Sequence, residues 1–159
     1  MELTLSQKER MLLEDQKKHE ELCIEKYGNY ANQAKDPQLK QIFYANQQSE
    51  QTHLNSINQM LSGTIPNMNQ QQGGNQTSGN QLHQGTENTL AAGSGVTDEA
   101  LCTDMLMTEK YVSGAYNTSI FEFRDTGARD VLNHIQKEEQ KHGEAIYKYM
   151  ESKGMYKAQ

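Results

Sequence analysis

The sequence predicts an all-α protein: a four-helix bundle made of two repeated helical hairpins joined by a long crossover. Three observations predict it. Four stretches place core-type residues at helical spacing. The first two stretches superpose on the last two without a gap, at an offset of 89 residues. Between them, residues 63–95 are rich in Gln, Asn, Gly, Ser and Thr and show no periodicity. At 159 residues the chain suits one bundle, with hairpins over 6–62 and 96–154.

Ser6-Gln7-Lys8-Glu9 has the form of a capping box and opens the first helix. Leu12, Gln16, Glu20, Cys23, Tyr27, Tyr30 and Ala34 then recur on one stripe. Asp36-Pro37 ends that helix, because proline disfavours a helical residue before it and suits the first position of the next. The second helix carries Leu39, Ile42/Phe43, Asn46, Glu50, His53/Leu54, Ile57 and Leu61, and stops at Ser62-Gly63.

An unstructured connection as long as 63–95 is unusual in a compact domain and needs a reason. A crossover along the bundle supplies one: the second helix, at about 25 residues, is ~37 Å long. Disorder is expected in its middle. The third helix starts near Thr97-Asp98-Glu99, acids suited to a helix N-terminus. Its stripe is Leu101, Met105, Glu109, Val112, Tyr116, Ser119/Ile120 and Phe123. Arg124-Asp125-Thr126-Gly127 is the second turn. Ala128, Val131/Leu132, Ile135, Glu139, His142, Ile146 and Tyr149 form the fourth stripe, ending before Gly154.

The repeat includes Leu12/Leu101, Asp15/Asp104, Glu20/Glu109, Tyr27/Tyr116, Asp36/Asp125, Gln47/Gln136, Glu50/Glu139, His53/His142 and Ile57/Ile146. Two copies are too few for a solenoid. Two hairpins about a pseudo-two-fold axis fit instead. Net charge is −6 with both signs interspersed, which leaves no basic footprint for nucleic acid. No apolar run approaches the ~20 residues of a membrane span. The N-terminal residues lack the layout of a secretory signal, and Cys23 and Cys102 read as buried small hydrophobes rather than a disulfide framework. Synthesis in the cytosol is the expectation.

Chemistry concentrates in two Glu-x-x-His tetrads, Glu50-Gln51-Thr52-His53 and Glu139-Gln140-Lys141-His142, with Glu20 and Glu109 at the same offset. One Glu and one Glu-x-x-His per hairpin is the six-ligand set of a di-metal carboxylate site in a bundle. Glu20 lies 16 residues before Asp36 and Glu50 lies 14 after it. In an antiparallel hairpin they stand ~24 and ~21 Å from the turn. His53 follows one turn beyond Glu50 on the same face. Four carboxylates and two imidazoles without counterions would be costly to bury. Two divalent metal ions, Fe or Mn, resolve that cost by coordination. A hydrogen-bonded polar layer without metal is the competing reading.

Glu21, Glu25 and Glu138 compete with the assigned ligands. Glu25-Lys26-Tyr27 also matches Glu109-Lys110-Tyr111, at an offset of 84, but this needs a gap before Asp36. His19, His83 and His134 have no partner at ligand spacing and read as surface or loop residues. Tyr27 and Tyr116 sit two turns from the layer along their own helices, and core packing with a hydrogen-bonded hydroxyl is their default role.

Asp104-Met105-Leu106-Met107-Thr108-Glu109-Lys110-Tyr111, Tyr116-Asn117-Thr118, the run from Leu132 to Glu144, and Gly154-Met155-Tyr156 form a specific set of motifs. Through them, residues 98–156 resemble the spore coat protein F family. The resemblance implies a ferritin-like bundle and a structural or assembly role in the endospore coat. Synthesis in the mother-cell cytoplasm, deposition in the coat and other coat proteins as partners follow from it; a homodimer stays open. Where that family has Asn-Pro at the second turn, this chain has Asp125-Thr126, followed by Gly127 and Ala128, which implies a looser turn. Coat proteins of this kind are not generally enzymes. Ferritin-like di-iron proteins imply the alternative, a di-iron or di-manganese protein handling peroxide or oxygen through Glu20, Glu50, His53, Glu109, Glu139 and His142. Metal storage in a shell-forming oligomer is the third option.

Overall fold

The computed structural model describes residues 1–70 and 95–157. Most of the expected 63–95 connection therefore lies outside the described residues, His83 included. Four long helices make up most of the described chain: α1 (Gln7–Gln33), α2 (Pro37–Leu61), α3 (Asp98–Glu122) and α4 (Thr126–Ser152).

Each helix begins where the local chemistry directs. The Ser6 hydroxyl accepts from the Glu9 N–H, and the Glu9 carboxylate accepts from the Ser6 N–H at 2.7 Å, closing the capping box. Asp36 caps α2 ahead of Pro37, Thr97 caps α3, and Asp125 caps α4. Helix α4 thus starts at Thr126, taking Thr126 and Gly127 into its first turn rather than the connecting turn. Gly63 leaves α2 at φ 91° and Gly154 follows α4 at φ 72°, left-handed positions that suit glycine.

The expected looseness at the second turn is not what the structure shows. Asp125 Oδ1 accepts from the Ala128 N–H at 2.8 Å, and Arg129 Nη1 donates to the carbonyls of Phe123 and Arg124, both at 2.9 Å. A Cβ at position 127 would lie 3.0 Å from Ile65 Cδ1, so the glycine admits Ile65 against the start of α4.

Helices α1 and α2 pack as one hairpin and α3 and α4 as the other, with α1 against α3 and α2 against α4 between them. Contacts across the hairpins run antiparallel. Glu9 on α1 meets Arg124 beyond α3, whereas the turn at Lys35 meets Asp98 at the start of α3. Helices α2 and α3 therefore point the same way, and joining them requires a crossover the length of the bundle. A feature without periodic signal closes one end: Leu3 N–H donates to Gly63 O at 2.7 Å and Ile65 N–H to Met1 O at 3.0 Å.

The core follows the four stripes with small phase corrections. In α1, Leu13 and Ala31 join the buried stripe, while Leu12 and Tyr30 are only half-buried. In α2, Ser56 and Met60 are buried while Ile42, Leu54 and Leu61 are half-buried. Helices α3 and α4 bury the expected residues and add Cys102 and Met150. Cys23 and Cys102 are free and fully buried, as small hydrophobes are. No described helix is long and apolar enough to cross a membrane.

Candidate metal centre

All six sequence-derived candidates converge in one layer at mid-height. Glu20, Glu50, His53, Glu109, Glu139 and His142 are each at most 5% exposed. The competitors fall away: Glu21 and Glu25 are exposed, and half-buried Glu138 pairs with Lys141 at 3.0 Å. Tyr111 is 68% exposed, which rules against the offset of 84. His19 and His134 are half-buried on the periphery, His19 against the edge of Tyr111.

Both imidazoles turn Nδ1 inward. His53 Nδ1 lies 3.0 Å from Glu50 Oε2 and 3.1 Å from Glu139 Oε1. His142 Nδ1 lies 3.0 Å from Glu50 Oε1 and 3.3 Å from both Glu109 Oε1 and Glu139 Oε2. The two rings stack at 5.7 Å between centroids and 24° between planes. Glu50 and Glu139 thus stand between the histidines, while Glu20 and Glu109 flank them from α1 and α3. Glu20, Glu50, His53 and Glu139 form one cluster of donor atoms; Glu50, Glu109, Glu139 and His142 form a second. The two clusters share Glu50 and Glu139.

The outer partners obey the pseudo-two-fold relation. The Tyr27 hydroxyl on α1 donates to Glu109 Oε1 on α3, and the Tyr116 hydroxyl on α3 donates to Glu20 Oε1 on α1. Two turns from the layer along their own helices, these tyrosines reach it across the hairpin boundary, because the facing helix runs antiparallel. Gln47 and Gln136 obey the same relation within each hairpin, donating to the carbonyls of Ile24 and Ser113, each at 3.0 Å.

The electrostatics of the layer record the cost of burying four carboxyls together. Burial first, then the charge of Glu20, pushes Glu50 up to about 7. Burial and the neighbouring Glu139 push Glu109 up to about 7, and burial raises Glu20. Burial also works against ionisation of Glu139, but the close approach of Glu109 and of both imidazoles outweighs it and holds this carboxyl below its ordinary range. The imidazoles go the other way: despite burial, the surrounding carboxylates push His142 up to about 12 and hold His53 well above its usual value. Tyr27 and Tyr116 are kept protonated, by burial and then by those same glutamates.

The donor set fits two divalent cations on three grounds. First, among the described residues, Glu20 Oε2, Glu109 Oε2 and Glu139 Oε2 are buried with no hydrogen-bond partner; the 3.3 Å approach of His142 Nδ1 to Glu139 Oε2 lacks hydrogen-bond geometry. Orphaned buried carboxylate oxygens are rare unless an ion or water completes them. Second, donor atoms at about 2.1 Å from an octahedral ion are about 3 Å from one another, close to five of the imidazole–carboxylate separations in the layer, 3.0–3.3 Å, with Glu20 Oε2 standing farther off at 3.8 Å from His53 Nδ1. Third, four carboxylates balance the charge of two divalent ions with neutral imidazoles. Carboxylate and imidazole donors suit Mn, Fe and Zn rather than soft monovalent ions.

A groove of about 570 Å³ between α3 and α4 leads to this layer, with Glu109 and Glu139 in its lining together with Leu106, Ser113, Gly143 and Tyr147. Nothing in the hydrophobic periodicity pointed to it.

Fold and site together define a four-helix-bundle protein whose core is interrupted by a carboxylate–histidine layer. Residues 97–159 match the Coat F domain. The match spans both helices of the second hairpin and none of the first. No curated protein matches the chain, and no solved structure matches it.

Proposed function

We propose that this chain is a structural or assembly protein of the spore coat whose bundle, ferritin-like in plan, holds two divalent metal ions between its hairpins. The Coat F domain over the second hairpin supports the coat role. The metal reading rests on one observation above all: three orphaned carboxylate oxygens in the layer that also gathers both inward-facing imidazoles. Glu50 and Glu139, common to both donor clusters, would help hold both ions, with His53 and Glu20 completing the set for one and His142 and Glu109 for the other. Tyr27 and Tyr116 hold Glu109 and Glu20 in place from outside, the orienting role that outer hydrogen bonds play at metal sites. A fluorescent fusion followed through sporulation tests the coat role. Assembly around the forespore is expected; a signal confined to the vegetative cytosol would sink it.

The α3–α4 groove favours a second reading, a di-iron or di-manganese protein acting on peroxide or oxygen, since small molecules need a path to a buried layer. Redox-active ions would supply electron transfer to the oxygen species. The chain's own residues would position the ions, exclude bulk water from the other sides, and keep two tyrosyl hydroxyls hydrogen-bonded to the flanking carboxylates. Peroxide consumption by Mn- or Fe-loaded protein, lost in Glu50→Ala, supports this reading. Loaded protein with no turnover above free metal removes it.

A further inference from the structure

The two hairpins match at every candidate ligand, yet they differ beside the layer. In the groove between α3 and α4, the lining includes Ser113 and Gly143. The equivalent positions of the first hairpin, 89 residues earlier, carry Ile24 and Leu54, both half-buried. Branched apolar side chains on the α1–α2 side thus correspond to a hydroxymethyl group and a hydrogen on the α3–α4 side.

Local sterics do not require this glycine. A Cβ at position 143 would lie 3.7 Å from Leu106 Cδ1, an ordinary contact, and glycine inside a helix costs ~1 kcal/mol relative to alanine. What glycine leaves is room. At the base of that room, Glu109 and Glu139 are 2% and 1% exposed, and each has an Oε2 without a hydrogen-bond partner. Glu144 and Lys110, both exposed, complete the charged lining. Glu109, Glu139 and Glu144 outnumber Lys110 in this lining, and once the adjoining His142 imidazole gives up its proton, as metal binding requires, the balance draws cations inward.

We propose that the α3–α4 groove is the path by which divalent cations reach the layer, with Ile24 and Leu54 closing the α1–α2 side. This rests on the metal reading above. Cations arrive first at Glu109 and Glu139, and the Glu20–His53 position fills by way of Glu50 and Glu139, which both clusters share.

The experiment is Co²⁺ uptake by the full metal-free chain, followed by absorption in a stopped-flow instrument, and its removal by EDTA. Gly143→Leu places in the groove the residue found on the closed side. Uptake and removal are both expected to slow by about tenfold or more, with unchanged final stoichiometry and affinity. Leu54→Ala added to Gly143→Leu is expected to restore speed from the other side. Circular dichroism checks the fold, and Ser113→Ile carries the same test if Gly143→Leu does not fold. Wild-type rates in the plugged variant at full stoichiometry overturn the path and leave the metal reading standing. A slowed uptake with unchanged removal is an affinity effect and also overturns the path. A wild-type chain that takes up no Co²⁺ overturns both.

Discussion

The hydroxyl of Tyr27 on α1 donates its hydrogen bond to Glu109 on α3, across the boundary between the hairpins. Tyr116 returns the same bond to Glu20. Each hairpin therefore supplies both a flanking carboxylate and the donor that fixes its counterpart. The layer binds the two halves to each other as well as offering donor atoms.

Replacing these tyrosines separates their shared role from their different settings. A hydrogen bond to a charged group contributes about 1.5–3 kcal/mol, so Tyr116→Phe is expected to lower stability within that range. Tyr27→Phe is expected to cost more, because Asn46 Nδ2 also donates to the Tyr27 hydroxyl at 3.3 Å and would lose its partner. Urea unfolding of the metal-free chain, with the two midpoints compared, checks the order.

Glu9 gives a pH dependence whose sign is fixed. Burial opposes its ionisation, but hydrogen bonds from the Arg124 side chain and from the Arg124 and Ser6 N–H groups hold its carboxyl at about 2, against an ordinary 4.5. A lowered carboxyl stabilises the fold above its unfolded value and loses that contribution as pH falls toward the folded one. Glu9→Gln is expected to cost about 1–2 kcal/mol at neutral pH, discounted for the exposed Arg124 head. The gap between wild type and variant should narrow as pH falls below about 4.5. Thermal melts across that range measure it.

Two helical glycines are expected to respond differently to alanine. Gly114 faces open space, so Gly114→Ala should stabilise by about 0.5–1 kcal/mol through helix propensity. At Gly28 a Cβ would come within 2.5 Å of Gln47 Nε2, whose bond to Ile24 O would have to move. Gly28→Ala should gain the same propensity and lose roughly one hydrogen bond, leaving a change near zero. Chemical denaturation of the two variants side by side decides this.

Metal should stabilise the fold through mass action. A ligand bound only by the folded chain adds about 2.7 kcal/mol at one hundred times its dissociation constant. Calorimetric melts with added Mn²⁺ are expected to shift upward in wild type and stay put in Glu50→Ala, which removes a donor common to both clusters. Equal shifts in both proteins would place the ions elsewhere.

Helix ends and the six-residue layer were legible in the sequence because both depend on short patterns: a cap three residues from its partner, or a carboxylate one turn from an imidazole. Stripe phase was less so. Leu12 and Leu13 are adjacent and equally apolar, and only three-dimensional packing decides that Leu13 goes inside. Pairings between distant residues were harder still. Glu9 accepts from the Arg124 N–H at 2.9 Å and Asp98 from the Lys35 N–H at 2.8 Å, a symmetric tie from each hairpin turn to the opposite helix start. All four positions obey the 89-residue offset, but Glu answers Asp and Lys answers Arg, so matching by identity passed over them. The groove was hidden for the converse reason: it lies where the repeat fails, at Ser113 and Gly143 opposite Ile24 and Leu54.

The most direct measurement is the metal content of purified chain after loading with Mn²⁺ or Fe²⁺ and removal of the excess, by elemental analysis. About two ions per chain are expected for wild type, the complement of a six-ligand set of this type, falling steeply in Glu50→Ala and Glu139→Ala. Near-zero metal in wild type, or unchanged loading in both variants, would contradict the account.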